Sequence, residues 1–446
     1  MNNSAMYRLS DAGGIPYPET AKYHYDKWYT TTGLTDGNAY KTIRFNIRQD
    51  NLLLHWKNAY LEIHGQIVKN AGGGAYANGD LITFIHNGIV HLFDNVKLAI
   101  GGQQVENVNH VGHVSSMIYD VLFARSKAKS DGLQFMWMPD TGKPTAVLEE
   151  NKGFAIRQKC VINTPTTKGM FKFRIPLYMF FGFMENFVAL KGYPVEMEFV
   201  RGPDYPALFR NGTADVGKLT FSEMTLNVPV VEPSTALTVE SLRGLKDPYP
   251  YLFSFRQRHG MFAPIPHNIY DFQQPITSDF FTERPQMIWV GFQHGATTDQ
   301  LFNHAVYTNE NVETAYIKMN NVTFPSTQIK ANWAENDNGF FYEMQKDVRA
   351  NYLQHSSTYT EGNMLDPANF KDLYTIYCFD VSKQEFTLSG NNVTCDLHVR
   401  FKSQTVANLR VYIAWFSDRT LELFTDGKPL IIRKQTDSYT NSSDLL

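Results

Sequence analysis

A chain of 446 residues is longer than one hydrophobic core usually organises, which points to two domains of ordinary size. Charged residues make up only 19% and the formal net charge is −3, which excludes a general polyanion binder and a basic tail for neutralising nucleic acid. Hydrophobic residues make up 43% and aromatic ones 14%, with 32 Phe and 24 Tyr, a balance that favours β structure.

The first twenty residues, MNNSAMYRLSDAGGIPYPET, lack a basic start followed by an apolar core, so no signal peptide is expected. No run reaches the ~18 apolar residues of a membrane-spanning helix. Residues 1–38 are read as an N-terminal arm, because the first credible strand is IRFNI, Ile43 to Ile47. Alternating patterns follow at Tyr60 to Ile67 (YLEIHGQI), Val96 to Ile100 (VKLAI), Phe171 to Ile175 (FKFRI) and Val195 to Phe199 (VEMEF). Side chains along a strand point to opposite faces in turn, so each pattern predicts one buried and one wetter face. KLTFSEMTLNV, Lys218 to Val228, is apolar at odd positions up to Phe221 and at even positions from Met224, which predicts a bulge. Short helices are expected in SSMIYDVLFARSK, with serine as its cap, and for one to two turns in MFFGFMENFVAL. The densest basic run, ARSKAKS at Ala124 to Ser130, is read as a solvated loop.

Between Val228 and Tyr251 the alternation breaks, with four prolines and a Ser/Thr cluster, and residues 231–250 are read as a linker. Strand patterns resume at QMIWVGF, TAYIKMNNVTF, LYTIYCF, CDLHVRF and LRVYIAWF. The polar residues 435–446 are read as a frayed tail.

The two halves share an order of features. A strand–turn–strand unit turns on Gly101-Gly102 in the first half and on Asn320-Asn321 in the second, residue types that accept the positive φ of a tight hairpin. An apolar strand follows in each, FKFRIPL and LYTIYCFDV, then a Gly-centred connection into VEMEF or CDLHVRF, then a longer strand, KLTFSEMTLNV or LRVYIAWF. This order predicts duplication of one all-β unit of many short strands, most simply a sandwich or jelly roll. The fold class expected is all-β: two tandem eight-stranded jelly rolls, residues 39–230 and 251–434, with short helices in loops.

Three stretches, LFDNVKLAIGGQQVENVN, FRIPLYMFFGFMENFVALKGYPVEMEF and YTIYCFDVSKQEFTLSGNNVTCDLHVRF, carry a resemblance that spans about residues 40 to 430. The chain resembles the double jelly-roll major capsid proteins of adintoviruses, Polinton (Maverick) elements and virophages, relatives of the adenovirus hexon. The resemblance implies a virion protein with no enzymatic activity. Three copies would form a pseudo-hexagonal homotrimeric capsomer, and capsomers would tile an icosahedral shell. It implies neighbouring capsomers and penton or minor capsid proteins as partners, with an internal membrane beneath the shell as a further one, and no sequence-specific nucleic acid binding. Synthesis would take place in the host cytoplasm. The Tyr-rich segment Tyr17 to Gly33 is then either an arm that locks a neighbouring capsomer or an extended segment packed on its own domain.

Chemistry is sparse. His86, His91, His110 and His113 fall close together, and NHVGH has H-x-x-H spacing, but no H-E-x-x-H or C-x-x-C accompanies them, so they are read as scattered strand and loop histidines. Glu196 and Glu198 sit on the outer face of VEMEF, where solvated charges belong, and LEEN, Leu148 to Asn151, supplies another adjacent pair. NAGGGAYANGD lacks the Lys-Ser/Thr of a phosphate loop and is read as flexible. Cys160, Cys378 and Cys395 are too few and too widely spaced for a disulfide framework and fit a reducing compartment; Cys378 and Cys395 are read as buried thiols. No residue is assigned a catalytic, cofactor-binding or metal-binding role. Two other function classes compete: a carbohydrate-binding or carbohydrate-active β-sandwich, and the single-jelly-roll coat of a small single-stranded DNA virus. The latter would lack the duplicated second half.

Overall fold

The computed structural model describes residues 20–31, 41–48, 53–166, 168–186, 189–190, 193–233, 251–276, 285–295, 298–320, 322–353, 367–382, 394–423 and 431–434. The expected tail and most of the expected linker lie outside these residues.

The first half contains β1 (Thr20–Tyr29), β2 (Thr42–Ile47), β3 (Leu53–His55), β4 (Tyr60–Lys69), β5 (Ile82–Phe84), β6 (Phe93–Ile100) and β7 (Gln103–Asn109). Helices α1 (Val111–Leu122) and α2 (Lys152–Val161) follow, then β8 (Met170–Pro176), α3 (Phe183–Asn186), β9 (Ala189–Leu190), β10 (Val195–Arg201), β11 (Leu208–Arg210) and β12 (Gly217–Pro233). The second half contains β13 (Tyr251–Pro264), β14 (Asp271–Pro275), β15 (Met287–His294), β16 (Val312–Met319) and β17 (Val322–Phe324). It closes with α4 (Gly339–Leu353), α5 (Pro367–Asp372), β18 (Ile376–Asp380), β19 (Cys395–Phe401), β20 (Leu409–Leu423) and β21 (Ile431–Lys434).

In the first half β12 lies between β4 and β1, and β8 flanks β4; the facing sheet runs β2-β10-β6-β7. In the second, β13-β20-β15-β18 faces β14-β19-β16-β17. Replacing β1, β12, β4 and β8 by β13, β20, β15 and β18 turns one sheet order into the other, and β2, β10, β6 and β7 map likewise onto β14, β19, β16 and β17. The tandem jelly rolls expected from the sequence are therefore present strand for strand.

Local chemistry explains the strands. On β8 Phe171, Phe173 and Ile175 turn inward and Lys172 and Arg174 outward. On β10 the buried Met197 lies between Phe45 of β2 and Leu98 of β6, and Phe199 packs edge-on against Phe45 and Phe180 with centroids 6.0 and 5.3 Å apart. Burying one such ring contributes about 1.5–3 kcal/mol. Gly101 and Gly102 have φ of 57° and 79°, the pair of left-handed residues that a two-residue β6-β7 turn requires. Asn320 has φ of 44° at the matching turn, whose second residue is outside the described set. The bulge expected in β12 falls between Phe221 and Glu223.

Three expectations change. Thr20–Tyr29, placed in an arm by the sequence, is a strand paired with β12 along its length, so it packs on its own roll. α1 begins at Val111 rather than at the serines, which lie buried inside it. Its N-cap, His110, adopts a left-handed conformation and makes no side-chain cap bond. The helices α2 and α4 have no counterpart in the sequence reading, because their buried faces carry Arg157 and Gln158, and Gln345 and Arg349, among the apolar residues.

Candidate assembly surface

The rolls meet inside the chain through unlike faces. β7, at one edge of its sheet in the first roll, runs against β13, at an edge of the second roll, and α1 packs over β13, β15 and β20. All 12 residues of α1 are buried. Gly260 of β13 permits this approach: a Cβ there would lie 2.3 Å from the Asn109 carbonyl oxygen and 2.4 Å from Val114 Cγ2. The phenylalanine-rich connection after β8 bridges the junction. Phe180 and Phe181 pack against Phe199 of the first roll, while Phe183 packs on Phe253 and Phe255 of the second.

Two buried polar clusters cross the same junction. Glu106 of β7 accepts the backbone N–H groups of Gly182, Phe183 and Arg258, each at 3.0 Å. Burial pushes its carboxyl up, against the pull of Arg258 and of those three N–H groups. Arg258 of β13 donates to the Tyr178 carbonyl, the Tyr119 hydroxyl and Glu185, and Tyr352 donates to the other oxygen of Glu185 at 2.6 Å. Asp140 accepts from Arg157 at 2.5 Å, Asn151 at 2.8 Å and, from the second half, Asn303 at 2.9 Å. The Tyr374 hydroxyl accepts the Asp140 N–H at 2.6 Å. Burial alone would raise the Asp140 carboxyl, but Arg157 and the two amides hold it below its usual range.

Among the described residues, the counterparts of the strands joined here pair on one side only. β1 corresponds to β13, and its Tyr23, Tyr25 and Tyr29 are 41%, 49% and 65% exposed. β17 corresponds to β7, and its Val322 is 38% exposed. The open face continues across β4 and β8. There Glu62 is ringed by His64 at 3.0 Å, Arg174 at 2.9 Å, Lys172 at 3.2 Å and Lys27 at 3.9 Å. Only 2% of the Glu62 side chain is accessible, but mobile ends of long side chains cover it, so the cluster is a surface one. Partial burial opposes ionisation; hydrogen bonds from Arg174, His64 and Lys172 outweigh it and hold the Glu62 pKa at about 2.

The residues singled out by sequence fall in several places. Glu196 and Glu198 point outward and pair with Arg48 at 3.9 Å and Arg44 at 2.7 Å. Glu150 pairs with Lys143 at 2.7 Å. In the basic run Lys127 pairs with Asp131 at 2.6 Å and lies 5.0 Å from the centre of the Phe123 ring. Cys378 and Cys395 are buried and Cys160 is exposed, all as free thiols. The histidines are not scattered. His91 and His113 stand 4.7 Å apart, His110 shares their cavity, and His304 of the second half joins them; His86 turns away to Asp120 at 2.9 Å. Among the described residues no three His, Cys, Asp or Glu side chains are placed to hold a metal ion. The sequence reading missed Glu106, Asp140 and Arg258: Glu106 and Arg258 sit among polar neighbours in QQVENVN and FRQRHG, so nothing local marks them as buried, and only Asp140, at the end of the apolar run FMWMP, carried a signal.

No curated protein matches the chain by sequence. Among solved structures, a chain of the Sputnik virophage is similar over 96% of this chain and 91% of its own, with 12% identity and a TM-score of 0.60. The mavirus major capsid protein is similar over 94% and 91%, with 11% identity and a TM-score of 0.57. The Faustovirus major capsid protein is similar over 93% and 92%, with 10% identity and a TM-score of 0.52. At such identities the likeness speaks to fold. The sequence model of the double jelly roll-like domain matches residues 146–421, more than half of the chain, and the chain belongs to that family.

Proposed function

We propose that this chain is a major capsid protein, a structural subunit without catalysis that forms homotrimeric, pseudo-hexagonal capsomers of an icosahedral virion shell. One observation carries the reading: β7 and β13, in contact within the chain, have open counterparts in β17 and β1. If β17 of one copy meets β1 of the next as β7 meets β13, every roll makes the same head-to-tail contact. A heterologous contact closes into a ring when its rotation divides a full turn, and a ring of three chains of two rolls gives six quasi-equivalent blocks. The ring also covers the edges of β1 and β17, which would otherwise invite uncontrolled pairing. The reading draws further support from two of the similar structures being major capsid proteins of mavirus and Faustovirus. Its partners would be neighbouring capsomers, penton and minor capsid proteins and an internal membrane, reached after synthesis in the host cytoplasm. The domain limits belong to the same proposal: a first roll closing near residue 230 and a second opening near 251, with the first now starting at β1.

Light scattering on the purified chain, with negative-stain images of the same peak, tests this. The expected species has three times the 51.0 kDa chain mass and a hexagonal outline. A monomer at every concentration would refute it. The exposed row Tyr23, Tyr25 and Tyr29 also favours a second reading, stacking against sugar rings. Such a protein would be a monomer that binds a glycan array.

A further inference from the structure

The histidines form a site that the capsid reading does not use. A cavity of about 270 Å³ opens between the rolls where the loop before β6, the first turn of α1, β13, β20 and the loop carrying His304 converge. His110, Gly112 and His113, in that first turn, line it. Because His110 caps the helix with no side-chain bond, the leading N–H groups of a 12-residue helix are left for another acceptor. His304 lines the same cavity at 2% exposure, and neither of its ring nitrogens makes a well-formed hydrogen bond among the described residues, the Asp299 backbone carbonyl being only a weak neighbour. A neutral imidazole carries one N–H, so burying it unpaired costs free energy that a bound acceptor would return.

We propose that this cavity binds a compact tetrahedral oxyanion of the phosphate class, held by the first turn of α1 and by His304.

The surrounding charges fit an anion that brings a proton with it. Burial holds His91 and His304 neutral, at pKa values of about 3, and Arg410 of β20 adds to the effect on His304. The Asp299 backbone carbonyl favours the charged form of His304 weakly. His113, also held neutral by burial, stacks on Tyr412 at 3.6 Å and shares a hydrogen bond with Tyr307 at 3.1 Å. At the mouth Asp94 would repel an anion, but it lies 3.6 Å from His110. An oxyanion seated against His304 adds a negative charge where an imidazolium is otherwise unsupported, so binding and protonation reinforce each other.

Calorimetric titration of sulfate into the full chain, at pH 5.5, 6.5 and 7.5, tests the site, because sulfate stays a dianion over this whole range. One ion should bind per chain, with affinity rising by up to about tenfold per pH unit of acidification as one proton enters with each ion. Repeating the titration in two buffers of different ionisation heat should show that proton uptake. H304Q should weaken binding at least tenfold and abolish the uptake, whereas H267A, at an exposed position, should change neither. No binding at pH 5.5, binding by a folded H304Q equal to the parent, or binding without proton uptake would each overturn the proposal. The last of these needs no variant. Adenosine monophosphate separates the sources: tighter binding than sulfate names a phosphomonoester and weaker binding the free ion, and either supports the site.

Discussion

Acid should loosen the junction between the rolls well above the pH at which carboxylates titrate. His91 and His304, at about 3, and His113, well below its ordinary 6.5, are all depressed by burial. A histidine depressed in the fold leaves stability intact above 6.5. As pH falls below 6.5 the unfolded chain binds protons that the fold refuses, and stability drains until the folded pKa is reached. Each such group costs about 1.4 kcal/mol per pH unit, so three cost about 4 kcal/mol per unit and about 6 kcal/mol between pH 6.5 and 5.0. That is comparable to the whole stability of many domains, about 5–15 kcal/mol. Other groups modify the total. Glu106 and Asp120, raised by burial, and His294, raised by Glu310, take up protons in the fold and act in the opposite sense. Glu62, at about 2, contributes only at lower pH. The difference between wild type and H304Q isolates one histidine. Urea midpoints measured at pH 7.5, 6.5, 5.5 and 5.0 in chloride, free of oxyanions, should fall in both proteins, more shallowly in H304Q by about 1.4 kcal/mol per pH unit. Parallel curves for the two proteins across this window would refute the reasoning.

Three further outcomes follow from the junction and the open face. Replacing Tyr29 and Val322 by Asp should leave the stability of the monomer within about 0.5 kcal/mol, yet disperse the trimer to monomers in light scattering. Asp140→Ala strips a fully buried Arg157 of its carboxylate and should cost about 3–5 kcal/mol in chemical denaturation, more than Glu196→Ala on the outer face of β10. Gly260→Ala forces a methyl against a backbone carbonyl that cannot rotate away, and should cost about 1–3 kcal/mol or separate the rolls, read as a lower urea midpoint.

How much of this was legible in the sequence depended on whether burial and hydrophobic pattern agreed. In β8 and β10 they do, and alternation gave the strands, their faces and the duplicated order. In β1 they do not: its tyrosines face outward, while His24, Asp26 and Trp28 face the roll, so the usual parity misleads. The helices α2 and α4 were missed for a related reason, since polar side chains lie on their buried faces, and in α2 these find partners that only the fold brings near. Gln158 reaches the Asp80 carbonyl across 78 residues of sequence. The histidine cavity was half legible. The spacing of His110 and His113 stood out, but His304 lies in the other half of the chain and nothing local announces it.

The junction also changes what the linker means. One continuous hydrophobic core holds Phe199 and Val230 of the first half together with Trp289 and Phe416 of the second. Cutting the chain between the rolls would leave Glu106 without the Arg258 N–H and Asp140 without the Asn303 amide, and would bare an apolar flank on each piece. The proline-rich boundary in the sequence is therefore no boundary in free energy. Although the halves repeat one strand order, each contributes to the other's interior, and a gene split at this point is expected to need both products together to fold either.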